Sequence, residues 1–215
     1  MESMFIKQIN LLIYRYPQLE ASREDIISSY LVLEESFENK GKLLVAGNGG
    51  SASDSEHIVG ELMKEFKLKR RVYAEHVDAL IAIDAEMGKV LADNLQGALP
   101  AICLVGQSSL TTAFMNDAIA DLIFAQQVNG YGLPGDVFLG ISTSGNSKNI
   151  LYAAVAAKAK GLKVIGLTGA RESKLSKLAD ICIRVPEIET YKIQELHLPV
   201  YHCLCAALED KFFGE

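Results

Sequence analysis

Five apolar runs spaced between helical patterns constrain this chain more than any other feature: KLLVAG from Lys42, PAICLVG from Pro100, DVFLGIS from Asp136, KVIGLTG from Lys163 and ICIRVPE from Ile181. They are rich in Val, Ile and Leu and lack polar alternation, as strands covered on both faces do. Helical patterns follow them: the stretch around His57, LTTAFMNDAIADLIFAQQVNGYG read as one helical unit, KNILYAAVAAKAKG, ESKLSKLAD and a C-terminal helix. Strand and helix in alternation predict an α/β fold, a doubly wound parallel sheet flanked by helices on both sides.

Before the first run, residues 1–40 read as a helical arm, with a break near Pro17 and a second helix that stops at Gly41. The α/β domain then occupies residues 41–215, with an extra helical segment at about 68–97. That segment could cap a pocket, build an interface or simply pack on the surface. At 215 residues, 49% of them hydrophobic, the chain suits one core with an added arm.

A formal net charge of -6 and no long basic run argue against a sequence-independent grip on nucleic acid. The short KLKRR stretch from Lys67 to Arg71 reads as a solvated helix end. Cys103, Cys182, Cys203 and Cys205 form no C-x-x-C pair and read as small core residues in a reducing compartment. The N-terminal apolar residues are interrupted by Lys7, Asn10 and Arg15, giving an amphipathic helix rather than a signal peptide or membrane span. The expectation is a cytoplasmic protein with no nucleic-acid or membrane partner.

Two turns have unusual composition: GNGGSASD after Ala46 and STSGNSKN after Ile141. In a doubly wound sheet, ligands sit outside the carboxyl ends of the strands, where a helix N-terminus favours an anion. GNGGS is neither G-x-G-x-x-G nor G-x-x-x-x-G-K-[ST], so it supports neither a dinucleotide nor a nucleoside triphosphate. STSGNS places Ser142, Thr143, Ser144 and Ser147 where hydroxyls can surround phosphate oxygens, and a turn of hydroxyls and N–H groups with no Lys among those six residues points to a phosphate monoester.

On the helix after the first turn, His57 and Glu61 are four residues apart and share a face. That is a metal-ligand spacing and an ordinary intrahelical pair alike. The C-terminal YKIQELHLPVYHCLC adds Gln194, Glu195, His197 and His202, with Pro199 predicted to kink the helix. His57, Glu61, Gln194 and His202 would make a workable zinc site of nitrogen and oxygen ligands. His76 reads as exposed, and His197 as a helix-surface or interface residue.

With GNGGS, GISTSGNS, the His57 to Glu61 spacing and IQELHLPVYH, the chain closely resembles the SIS (sugar isomerase) domain proteins, and among them the phosphoheptose isomerases, over roughly residues 40–210. The resemblance implies a flavodoxin-like three-layer sandwich and an enzyme that interconverts a ketose phosphate with its aldose isomer. It implies a homotetramer joined through the N-terminal helices, with sites at subunit interfaces and one zinc ion per subunit. Position by position, it implies that Asn48, Gly49, Gly50 and Ser51 line the sugar-phosphate site and that Asn116 and Asp117 lie near the substrate. Ser142, Thr143, Ser144 and Ser147 would hold the phosphate. His57, Glu61, Gln194 and His202 would bind zinc, with Glu61 and His202 also the base and the acid.

The chain departs from the family pattern in places. Glu65 stands where a basic residue is usual, Tyr191 and Lys192 stand where an Asp-Arg pair is common, and the segment from Leu68 to Leu99 is longer than the usual connection. Two other readings stand beside the phosphoheptose isomerase. One is a non-catalytic SIS protein that binds a sugar phosphate or a replication-initiator partner. The other is an isomerase of a different sugar phosphate.

Overall fold

The structure is a computed structural model and describes residues 4–214. Its centre is an all-parallel sheet of β1 (Leu43–Ala46), β2 (Ala101–Cys103), β3 (Val137–Ile141), β4 (Lys163–Thr168) and β5 (Ile181–Arg184), in the order β2-β1-β3-β4-β5. The five predicted runs are these five strands. Alternate side chains enter opposite layers, as the pleat requires. Leu43, Val45, Val137 and Leu139 join the cluster under the N- and C-terminal helices. Leu44, Ala46 and Phe138 join the cluster under α7 (Ile123–Tyr131) and α8 (Lys148–Ala159).

The N-terminal residues form α1 (Met4–Arg15), a short 3-10 turn from Pro17 to Ser22, and α2 (Arg23–Glu38). Ile9, Leu12, Leu19, Ile26, Tyr30, Leu33 and Phe37 lie in the same cluster as the apolar face of the last helix, α10 (Thr190–Phe213). That helix runs unbroken through Pro199. Among the described residues no helix is long and apolar enough to cross a membrane.

Three sequence expectations need correction. First, the stretch from Leu110 to Gly132 is not one helix: α6 (Ser108–Asp117) ends at Ala118, and a 3-10 turn at Ala120–Leu122 redirects the chain into α7. Second, Arg70 is not part of a solvated helix end. Its side chain and that of Glu209 are both fully buried and meet at 2.7 Å. The Arg70 guanidinium also donates to the carbonyls of Glu61 and Leu62 at the end of α3 (Gly50–Met63), while Glu209 accepts from the N–H groups of Phe66 and Lys67. Burial raises the Glu209 carboxyl, but these donors more than reverse it, so its pKa ends lowered. Third, His197 is not a surface residue; it is completely buried, as a residue on the apolar side of α10 must be.

The extra segment folds as two helices, α4 (Ala74–Ile83) and α5 (Ala85–Asn94), packed on each other. Asp84 caps α5 by accepting from the N–H groups of Glu86 and Met87. Gly88 lets the pair close up, since a Cβ there would come within 2.3 Å of the Leu80 carbonyl. The pair is mounted through an antiparallel bridge between Arg71 and Gln96 and a 2.8 Å bond from Glu65 N–H to the Gln96 side chain. No residue of α4 is buried and only Gly88 is buried in α5, so Ile83, Met87 and Val90 stand in solvent.

Candidate functional site

The sheet order changes direction between β1 and β3, and at their carboxyl ends lie the two small-residue turns, at the switch point where such sheets bind ligands. In the first turn Gly49 adopts φ 57° and ψ -120°, a conformation only glycine takes readily, and Gly50 opens α3. Ser51 is buried and Asn48 exposed. In the second, Ser142 is buried and its hydroxyl lies 3.0 Å from that of Ser147. Gly145 adopts φ 63°, and a Cβ there would overlap the Ser173 side chain at 2.1 Å.

The turns are joined directly. Asn48 Nδ2 donates to Asn149 Oδ1 at 3.0 Å, and Asn149 Nδ2 donates back to Asn48 Oδ1 at 2.8 Å. Asn149 also caps its own helix start by accepting from Ile150 N–H. It stands at the end of the STSGNSKN turn, and sequence reading passed over it because the pairing of β1 with β3 is what brings it to Asn48. Thr143, Ser144 and Asn146 line a cleft of about 300 Å³ whose other wall includes Arg171 and Thr190.

The second half of the site is built by α3 and α10. His57 Nε2 lies 2.9 Å from Glu61 Oε1, and His202 Nε2 lies 3.5 Å from His57 Nε2. The other Glu61 oxygen, Oε2, is 3.4 Å from Lys64 Nζ. His202 opens onto a groove of about 290 Å³ between α1 and α10, lined also by Arg15 and Phe66. Burial lowers the His202 pKa, and neighbouring His57 lowers it further. Behind His57, its Nδ1 lies 3.0 Å from the Tyr201 hydroxyl, which donates to Asp54 Oδ1 at 3.2 Å. Burial raises the pKa of both Asp54 and Tyr201.

These atoms suit a metal ion. One donor each from His57, Glu61 and His202 lie within 4.8 Å of one another. Two ligands of a tetrahedral zinc at its usual bond lengths are about 3.3 Å apart, and the 2.9 and 3.5 Å separations bracket that value. Gln194, the fourth ligand implied by the resemblance, packs against the first turn: a Cβ on Gly50 would sit 2.5 Å from its Nε2. Gln194 and His202 thus share α10, one at the turn and the other at the cluster. Asn116 and Asp117 end α6, both exposed, with Asn116 donating to Asp117 at 2.9 Å rather than to either turn. His76 is exposed, as predicted.

The four cysteines are free and none joins the cluster. Burial raises the thiols of Cys103, Cys182, Cys203 and Cys205, that of Cys203 to about 12, which fits packing rather than reactivity.

Residues 5–169 match the SIS domain, and the chain belongs to that family. Among its relatives are phosphoheptose isomerases: that of Aneurinibacillus thermoaerophilus is 38% identical over 83% of this chain and 77% of its own length. That of Rhodospirillum rubrum is 40% identical over 83% of this chain and 81% of its own. Solved structures agree. The phosphoheptose isomerase of Francisella tularensis superposes with a TM-score of 0.72 at 29% identity, covering 96% of this chain and 95% of the other. That of Neisseria gonorrhoeae gives 0.70 at 31% identity, covering 87% and 86%.

Proposed function

We propose that this chain is a phosphoheptose isomerase that interconverts sedoheptulose 7-phosphate and D-glycero-D-manno-heptose 7-phosphate. The observation that carries the reading is the convergence of His57, Glu61 and His202 on helices that also frame the switch-point turns. The phosphoheptose isomerase relatives supply the substrate class.

Moving a proton between C1 and C2 through an enediol needs a base at carbon and an acid at oxygen. Glu61 is the base. Its two oxygens face different partners, Oε1 toward His57 and Oε2 toward Lys64, so one can serve the cluster while the other takes the carbon-bound proton. His202 is the acid, its ring at the mouth of the groove. His57, Glu61 and His202, with Gln194, would hold a single zinc ion, which when bound polarises the carbonyl and orients the two oxygens.

At the other half, Ser142, Thr143, Ser144 and Ser147 hold the phosphate, exchanging the Ser142–Ser147 contact for phosphate oxygens. Asn48, Gly49, Gly50 and Ser51 line the sugar, and Asn116 and Asp117 approach it from α6. The serine cleft and the His202 groove are separate openings in one chain, which supports completion of the site by a neighbouring subunit. A cytoplasmic homotetramer joined through residues 1–40 and the α4–α5 pair accounts for the apolar side chains left in solvent, Leu11 and Tyr14 on α1 and Ile83 and Met87 on the pair.

The test is proton NMR of sedoheptulose 7-phosphate incubated with zinc-loaded protein, wild type beside Glu61→Gln. Aldose anomeric signals should appear with the wild type and fall by at least about 10³-fold in rate in the variant, within the range for loss of a general base. A folded, zinc-bearing wild type that gives no signals would reject this substrate.

A further inference from the structure

The His57–Glu61–His202 cluster is backed by two residues that no part of the proposed reaction uses. Tyr201 is 2% exposed, and its hydroxyl sits between His57 Nδ1 at 3.0 Å and Asp54 Oδ1 at 3.2 Å. A phenol carries one proton and a carboxylate only accepts, so with that proton given to Asp54 the phenolic oxygen can only accept from His57. The imidazole must then carry its proton on Nδ1. Its Nε2 is left as a bare lone pair, aimed at Glu61 Oε1 and His202 Nε2.

We infer that Asp54 and Tyr201 are positioning residues that fix His57 in its Nδ1–H tautomer and orient Nε2 toward the cation of the proposed zinc centre. The inference rests on the metal centre described under the proposed function. The rigid backing supports it. Tyr201 is clamped in the core, its ring is edge-on to both His57 and His202 at 5.5 and 5.1 Å, and Asp54 lies one turn before His57 on α3. Asp54 keeps a second oxygen, Oδ2, buried without a partner, so it forms no other bond that would explain its presence at the back of the ring. Partners behind a metal-bound histidine set both its tautomer and its basicity, and losing one typically costs 10- to 100-fold in metal affinity.

The test is zinc affinity of the intact protein by chelator competition, which needs no substrate. Tyr201→Phe should bind zinc about 10- to 100-fold more weakly. Asp54→Ala should lose a comparable amount, and Asp54→Asn, which keeps an acceptor oxygen, should recover most of it. The double variant Asp54→Ala with Tyr201→Phe should bind no more weakly than Tyr201→Phe alone, because Asp54 acts through the phenol. A folded Tyr201→Phe with wild-type affinity would overturn the inference while leaving the metal centre standing, and so would losses that multiply in the double variant. Long-range proton–nitrogen NMR of the metal-free wild type reads the tautomer without any substitution: Nδ1–H supports the chain and Nε2–H overturns it. A wild type that binds no zinc at all removes the metal centre, and this inference with it.

Discussion

The two halves of the site differ in how their polar groups are satisfied. At the turns, donors and acceptors answer one another: Asn48 with Asn149, Ser142 with Ser147, Asn146 with Ser144. At the cluster, two imidazole nitrogens and a carboxylate oxygen converge with no donor supplied between His57 and Glu61 once Tyr201 has fixed the tautomer. The turn half is therefore satisfied as it stands, and on the proposed reading it would trade internal bonds for a ligand's. On the proposed reading the cluster half has repulsion built in between His57 Nε2 and Glu61 Oε1, which a bound cation would relieve. One half is preorganised by hydrogen bonds within the turns and the other by helix packing together with the Asp54–Tyr201 backing of His57.

The largest expected effect breaks the cluster half alone. Chelation of the zinc-loaded enzyme should abolish turnover, and zinc at about a hundredfold excess over its Kd should stabilise the fold by about 2.7 kcal/mol. Glu61→Gln should cost at least about 10³ in rate, yet its metal-free form should melt no lower than the metal-free wild type, since the substitution removes a carboxylate from a crowd of lone pairs. A metal-free Glu61→Gln protein clearly less stable than metal-free wild type, by thermal melts, would show that the cluster is not repulsive and that the contrast is misplaced.

The matching blow to the turn half is Gly145→Ala. The backbone there has φ 63°, and the added Cβ would meet Ser173 Oγ at 2.1 Å and Cβ at 2.5 Å. Ser173 cannot step aside freely because its side chain caps α9 (Lys174–Leu178) in a capping box. The left-handed penalty and the damaged cap, each about 1–2 kcal/mol, with the overlap added, predict a loss of about 3 kcal/mol in urea denaturation. Zinc affinity of the folded fraction should stay unchanged. A fall in zinc affinity would mean that the halves are coupled through the fold and not separately built.

α10 joins the halves, and it carries His197 between Gln194 and His202. Its ring is fully buried and neither nitrogen has a hydrogen-bond partner. Burial pushes its pKa from 6.5 down to about 4. Because the folded value lies below the unfolded one, the stability that the neutral ring contributes is full above pH 6.5 and is lost as pH falls toward 4. At pH 5 the loss is on the order of 2 kcal/mol. Urea midpoints measured from pH 7 to pH 4.5 should fall accordingly, and His197→Gln should flatten that slope. An unchanged slope would assign the acid sensitivity to other groups.

How much of this was legible in the sequence follows from the same contrast. Short-range patterns reported faithfully: the apolar runs became the strands, and the glycine and serine turns fell at the switch point. The His57 to Glu61 spacing did bring two donors onto one face. What failed to show was pairing across the fold. Asn149 acquires meaning only because β1 lies beside β3, and Tyr201 only because α10 crosses α3 one residue before His202. Arg70 was misread because a run of four cations in five residues looks solvated, while its partner Glu209 is 139 positions away. The exposure of α4 and α5 was equally hidden, since their apolar side chains resemble those of any packed helix pair.

The smallest expected effect isolates the link between the turns. Asn149→Ala removes both amide bonds to Asn48 and the cap on Ile150 N–H. The amide pair is solvent-exposed, so water replaces much of what is lost, and the net cost to stability should be about 1 kcal/mol. The consequence for the proposed reaction should be larger for binding than for chemistry, because the first turn would be free to drift from the second turn, the proposed phosphate site, while Glu61 and His202 stay fixed on their helices. KM for the heptose phosphate should rise several-fold with kcat nearly unchanged and zinc affinity untouched. A fall in kcat at constant KM would instead place Asn48 or Asn149 in the reacting half of the site, and the division between a self-satisfied turn half and a cation-dependent half would have to be redrawn around that amide pair.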